Sequence, residues 1–306
     1  MAAINKNVTY TAKDNASRST VMPGQNDPLF AYVKRGSLIQ RLGTEVVTTK
    51  GGAYVVTAGR AASAAFVNEG DSIKVQNHQL EGKLLAPEKV AAIFLTTREV
   101  AELPAAQFME AIMPQAGEAI ARAFDAAILY GTVFGKSLNT TTLTTSIKAF
   151  TDAQGGVYGA LNDVITKGAS KGQRPDGFLL DGRMEPVLNM AMDAQKRPIF
   201  LTNQWGDSNP GESMGSLLSR RTIIADELLP ASSETRGFAG PFKNIQFGTS
   251  GDVRFKISDE ATVDISANMD GSQMVSTYQQ DLVAVKAVTS FVASIPTADN
   301  FVKITT

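Results

Sequence analysis

The run closest to a cofactor motif is Gly131-Thr132-Val133-Phe134-Gly135-Lys136-Ser137. A phosphate-binding loop needs four residues between its glycines, so that successive backbone amides wrap the phosphate; here three intervene. Such a loop also follows a strand and opens a helix, whereas this run follows a helical pattern. His78, the one histidine, lies in Gln76-Asn77-His78-Gln79 with no Ser or Asp spaced to form a nucleophilic relay. It reads as a solvated or interface side chain. The acidic pairs Asp226-Glu227 and Asp259-Glu260 sit in turn-like settings without metal-type spacing and read as solvated faces. Arg220-Arg221 could bind a phosphate, but adjacent residues on a strand point to opposite sides of the sheet. Trp205, in the loop Trp-Gly-Asp-Ser-Asn-Pro-Gly, either anchors an interface or packs its own loop. No catalytic, cofactor-binding or metal-binding residue is assigned, and no cofactor is expected.

Composition narrows the classes further. With 306 residues, 43% hydrophobic and 19% charged, the chain has globular composition and enough length for a large core. Lys+Arg 29 against Asp+Glu 30 leaves a net charge of -1, unlike the basic balance of proteins built to grip nucleic acid. Cysteine is absent, which removes disulfides, thiolate nucleophiles and Cys-ligated metal centres. No apolar run approaches membrane-spanning length and the first residues carry no signal core, so a soluble cytoplasmic product is the default.

The elements that must carry any function form an unusual set. Residues 1–41 are polar and turn-rich. Lys6, Lys13, Arg18, Lys34, Arg35 and Arg41 against Asp14 and Asp27 leave this segment at +4 and the remainder at -5. It reads as an arm that orders against something else. Residues 44–77 carry β pattern with a weak apolar face (Thr44–Thr49, Tyr54–Thr57, Ile73 and Val75), which cannot stand alone and must lie on a neighbour. Val90–Thr97 is a continuous apolar run that predicts a buried strand. From about Leu103 to Tyr130, Phe108, Ile112, Ala116, Ile120, Phe124 and Ile128 recur at i+4 and predict one helix, kinked or restarted at Pro114 and stopped at Gly131. Some 25 helical residues span roughly 38 Å, the length of a girder.

Residues 137–156 read as a Thr-rich linker. Helix over 160–167, strand over 177–180 and helix over 184–194 then predict an α/β lobe. A loop is expected over 197–216, then short strands at 221–225, 245–248 and 253–257. Apolar strand pattern returns at 282–294 and 301–304.

Three segments in order resemble the major capsid protein family of tailed bacteriophages, whose fold is shared with encapsulins. Ala65-Phe66-Val67-Asn68-Glu69-Gly70 is similar to the stretch closing the family's extended loop. Leu84-Leu85 through Lys89-Val90-Ala91 to Thr96-Thr97-Arg98-Glu99-Val100 resembles its strand and following helix start. Ile120-Ala-Arg-Ala-Phe-Asp125-Ala-Ala-Ile-Leu129-Tyr-Gly131 resembles the end of its spine helix.

The resemblance implies an α+β fold of tailed-phage capsid type. Its parts are an N-terminal arm (1–41), an extended β-hairpin loop (42–84) and a peripheral domain (85–145 and 251–306) with the spine helix at about 103–130. An α/β axial domain (146–250) lies at the five- and six-fold centres, and the C-terminal strands close the peripheral sheet. It implies a structural, non-enzymatic subunit that self-assembles as pentamers and hexamers into an icosahedral shell enclosing double-stranded DNA. The DNA is enclosed without sequence-specific binding, and no membrane is involved. Further partners are a separate scaffolding protein, a portal and, optionally, a decoration protein; the product resides in the virion after assembly in the host cytoplasm. Only some 40 residues precede the loop, so no fused scaffolding domain is expected. Arg60, Glu69, Lys74 and Trp205 are the candidate intersubunit contacts. Lys50, Lys74 and Asn300 are the residue types that some members join by an isopeptide bond, but they are too common to assign a cross-link. Alternatives are an encapsulin-type compartment enclosing cargo enzymes, a soluble α/β metabolic enzyme, and a tail or decoration protein.

Overall fold

A computed structural model describes residues 28–49, 51–58, 66, 80–101, 105–131, 133–149, 155–192, 197–198, 200–202, 212–226, 234–250, 253–266, 272–295 and 298–305. Helices α1 (Pro28–Gly36) and α2 (Leu38–Leu42) come first. They correct the expectation for residues 28–41, which are not a free arm. Val33, Leu38, Ile39 and Leu42 are buried, because this short amphipathic pair lies on the long helix and shares its core. Strand β1 (Thr44–Glu45) is much shorter than the six-residue pattern suggested. Strands β2 (Ala53–Ala58) and β3 (Leu80–Leu85) form a two-stranded antiparallel hairpin with Ala58 opposite Leu80.

Strand β4 (Glu88–Thr97) leads through α3 (Arg98–Ala101) to α4 (Ala105–Leu129). The helix runs through Pro114 without interruption. At its end, the amides of Tyr130 and Gly131 both donate to the Ala126 carbonyl (2.9 and 3.1 Å), which stops the helix as the glycine predicted. Ala116, Ile120, Phe124 and Ile128 are fully buried along the expected ridge; the side chain of Phe108 lies outside the described residues. Gly117 permits the crossing of α1 over α4, since a Cβ there would come within 2.7 Å of the Tyr32 Cβ.

The next elements are β5 (Leu143–Ser146), α5 (Gly156–Ser170), β6 (Gly177–Asp181) and α6 (Glu185–Met190). The expected linker therefore holds a strand, and the helix expected over 184–194 is shorter. Strands β7 (Phe200–Thr202) and β8 (Glu212–Leu217) occupy both ends of the stretch expected as loop. Then follow β9 (Arg220–Ala225), β10 (Thr235–Gly240), β11 (Gln246–Thr249), β12 (Arg254–Ser258), β13 (Thr262–Asp264) and β14 (Met274–Ser276). The chain ends with the 13-residue β15 (Leu282–Ser294) and β16 (Val302–Thr305).

Two large sheets result. The seven-stranded sheet runs β5-β16-β10-β6-β9-β8-β7, with β6 and β9 parallel. Its central strands are buried on both faces: Leu179, Ile223 and Phe238 join the core under α4, while Phe178, Leu180 and Ile224 pack with α5 and α6. That explains why β6 reads as an unbroken apolar run. The five-stranded sheet is organised by β15, which pairs β11 and β12 on one side and β4 along its length on the other. Here β4 departs from expectation. Val90 and Phe94 face the core, but Ile93, on the opposite face, is 50% exposed. The final strand also departs, since β16 lies in the seven-stranded sheet between β5 and β10, whereas β11 belongs to the five-stranded one.

Candidate functional site

The residues that could have done chemistry are dispersed. Gly131 ends α4, Gly135 makes a turn with φ +78°, and Ser137 is buried ahead of a short 3₁₀ turn at Leu138–Thr140. Phe134 in this run packs edge-on against Phe124, 6.0 Å between ring centres, so the segment is a core lid with no phosphate cradle. Arg220 donates to the carbonyls of Pro175 (2.8 Å) and Leu218 (3.1 Å), while the neighbouring Arg221 is exposed. Asp259 pairs with Arg98, and Asp226 is exposed. His78, Glu227 and the contact candidates Arg60, Glu69, Lys74 and Trp205 lie outside the described residues, as do Lys50 and the cross-link candidate role of Lys74. Asn300 donates to Gln173 Oε1 at 2.9 Å. Among the described residues no group of three or more His, Asp or Glu is placed to hold a metal ion, and no helix is long and apolar enough to cross a membrane.

One titratable group is displaced far from its ordinary value. Tyr130, at the end of α4, has a hydroxyl without a hydrogen-bond partner among the described residues. Burial first, and the nearby Asp181 carboxylate second, push its pKa up to about 12, partly opposed by Arg183. Arg183 is itself held charged by its hydrogen bonds to Asp181, at 2.5 Å from Nε. The phenol therefore stays neutral and does no acid–base work near pH 7. Because the folded pKa lies above the unfolded value near 10, ionisation opposes folding only at high pH: stability is untouched below pH 10 and falls as pH rises from 10 towards 12. Tyr130→Phe is expected to leave stability at pH 7 unchanged or slightly raised, since no hydrogen bond is lost. It should also remove a late tyrosinate step in absorbance titration at 295 nm; an unaltered titration would show that Tyr130 is not the displaced group.

What the described surface offers instead is apolar side chains without intramolecular cover. On the β2–β3 hairpin, Ala53, Val55 and Leu85 pack on Val292 of β15. The opposite hairpin face presents the cross-strand pair Tyr54 and Leu84, 58% and 64% exposed. Phe66, between the two strands in sequence, is fully exposed. Met190, Met192 and Leu201 are exposed where α6 ends and β7 begins.

The described part of the hairpin is docked at its base and open at its outer face, beside a long helix and two sheets. The phage capsid family model matches residues 19–300. The chain belongs to the phage capsid family. Among similar curated proteins are the probable major capsid proteins gp17 of Mycobacterium phage D29 (28% identical, over 95% of this chain and 92% of the relative) and of Mycobacterium phage L5 (27%, over 95% and 91%). The fold matches a solved structure from Mycobacterium phage Ogopogo with TM-score 0.61 at 15% identity, over 88% of this chain and 92% of that one. It also matches the capsid of an empty GTA particle computed with C5 symmetry, TM-score 0.59 at 14% identity, over 89% of each chain. The molecule is thus an α+β capsid protein, a component of virions that self-associates into shells.

Proposed function

We propose that copies of this capsid protein assemble as pentamers and hexamers into an icosahedral shell around double-stranded DNA. Assembly takes place in the host cytoplasm, with a scaffolding protein, a portal and an optional decoration protein as separate partners. The role is mechanical rather than enzymatic, and DNA is enclosed without sequence reading. The observation that carries this reading is the family match over nearly the whole chain, joined to a hairpin whose outer face no part of the described chain covers. Residues 42–84 form the extended loop laid across an adjacent copy, with Arg60, Glu69 and Lys74 in that contact. The α4 helix and the five-stranded sheet make the peripheral domain. The seven-stranded sheet makes the axial domain around the symmetry centres, with Trp205 at its interface. The arm is confined to residues before Pro28. Obligate interfaces of this type bury about 2,000–5,000 Å² each, so many copies turn modest pair energies into a stable shell.

Ala58 and Leu80 are register partners, so an Asn-Gly dipeptide replacing residues 59–79 closes the hairpin through a two-residue turn. Removing the whole of 46–76 would instead strip Val46, Ala53 and Val55 from the sheet they cover. The trimmed subunit is expected to melt within about 5 °C of the unmodified chain, because no described core contact is lost. It should form no closed particles by negative-stain electron microscopy under conditions where the unmodified chain does. Normal shells from the trimmed chain would overturn the loop's role, and an unmodified chain that forms no particles or capsomer rings even when co-expressed with the scaffolding protein would overturn the shell reading. The relatives of this chain are phage capsid proteins, and no feature of it favours a compartment around cargo enzymes or a metabolic enzyme.

A further inference from the structure

The outward face of the five-stranded sheet carries a concentration of charge that its own chain does not balance. Alternation along β15 sends Ala287 and Phe291 into the core and Lys286, Val288 and Ser290 to the other face. The register then places Lys256 directly opposite Lys286, with Ile93 on its other side. Arg254 lies opposite Val288, and Lys89 opposite Ser290. All four cations are exposed, and none makes a hydrogen bond or ion pair among the described residues. Directly opposed like charges weaken an antiparallel pair, and Cα atoms there stand only about 4.5–5.5 Å apart. Among the described residues the hairpin packs on this face at Val292, and the four cations stay exposed.

The same sheet ends in the opposite charge. Asp259 follows β12, Asp281 precedes β15, and both pair with Arg98 (3.3 and 3.0 Å). Glu99 and Glu260 are exposed next to them in the chain, so among the described residues this end holds four carboxylates against Arg98. At the Arg98–Asp259 pair opens a groove of about 340 Å³, lined by these two side chains with Ser258 and, as its apolar part, Ala101, Ile257 and Val283. Ile257 is 58% exposed. Each patch thus combines an open isoleucine with uncompensated charge, and the signs are opposite.

We infer that the cationic face of the five-stranded sheet docks the acidic, Ile257-lined end of the same sheet in a second copy. The inference rests on the shell reading and specifies one of its contacts. Lys256 and Lys286 of one subunit meet Glu99 and Glu260 of the next, and Ile93 enters the groove. The mixture of cations with open apolar groups favours this protein partner over a phosphate backbone, which would leave Ile93 against charge. Because the two patches differ, the contact is head-to-tail, as rings and closed shells require.

The test compares the full-length chain with the variant K256E/K286E and with the fourfold variant that adds E99K/E260K. The double reversal replaces one like-charge pair by another, so the subunit should keep its melting temperature. Its critical concentration for particle formation should rise about tenfold or more. The fourfold variant exchanges the signs of the four side chains paired in the proposed contact, so positions 256 and 286 again meet opposite charge, and it should return that concentration towards the unmodified value, an outcome no general loss of fold would produce. Equal assembly by the double variant, or no recovery by the fourfold one, overturns the contact while the shell reading stands. Assembly unchanged but binding of a short DNA duplex lost in K256E/K286E would assign the face to phosphates and equally overturn it. No particles from the unmodified chain even when co-expressed with the scaffolding protein would overturn the shell reading itself and this contact with it.

Discussion

Asp125→Ala is expected to lower subunit stability by roughly 3 kcal/mol, about 6–12 °C in melting temperature for a chain of this size. The carboxylate is buried in α4 and accepts three hydrogen bonds from the start of α2: Ser37 Oγ at 2.6 Å, and the backbone amides of Leu38 at 2.8 Å and Ile39 at 3.2 Å. These amides belong to a helix N-terminus and have no intrahelical acceptor. The same Ser37 hydroxyl accepts from Gln40 N, so one carboxylate and one hydroxyl complete the cap. Alanine would leave the three donors buried and unanswered, each costing about 1 kcal/mol or more. Asp125→Asn keeps one acceptor oxygen but turns an NH₂ towards the remaining donors and removes the charge that suits a helix N-terminus. It should fall between alanine and the natural residue. Backbone exchange should accelerate in residues 37–42 in both variants. A loss below 1 kcal/mol for the alanine variant would mean that packing of Val33, Ile39 and Leu42 alone holds the two helices.

The same position shows what pattern reading could reach and where it stopped. The i+4 ridge of α4 was legible because one helix face repeats the same burial every turn, and Gly131 marked its end. The docking of residues 28–42 was not legible. Lys34, Arg35 and Arg41 dominate its composition, but Val33, Leu38, Ile39 and Leu42 lie on the face turned to α4. A short helix capped by a residue 87 positions away leaves no local signal. The five-residue β6 was readable because burial on both faces makes a strand uniformly apolar. Strand β5, in a Thr-rich stretch, was not, since its apolar partners come from β16 at the far end of the chain. Among candidate surface residues, those chosen from the loop lie outside the described residues. The cationic face went unseen because Lys89, Arg254, Lys256 and Lys286 come together only through strand register.

Phe124→Ala should have the larger effect, about 3–5 kcal/mol, since it removes a fully buried ring that touches three other rings of the core. The Phe124 ring is fully buried, 5.0 Å from Phe291, 6.0 Å from Phe134 and 6.3 Å from Phe247 between ring centres. Those partners sit on β15, on the turn after α4 and on β11, so a single side chain ties the girder helix to two strands of the five-stranded sheet. The space left cannot close easily, because Phe247 and Phe291 are held by ladder pairing to each other's strands. Phe124→Leu retains most of the volume and should lose about half as much or less. The two substitutions at adjacent positions should also differ in where they act. Phe124 faces the sheet, whereas Asp125, about 100° round the helix, faces α2. Hydrogen exchange in Phe124→Ala should therefore quicken in residues 246–249 and 288–294, while residues 37–42 stay protected. Fast exchange in both regions for either variant would show that α4 transmits the damage across its width. Confined losses would show the helix acting as a rigid partition between the N-terminal helices and the sheet, the property a girder in a shell must have to bear load from one side without loosening the other.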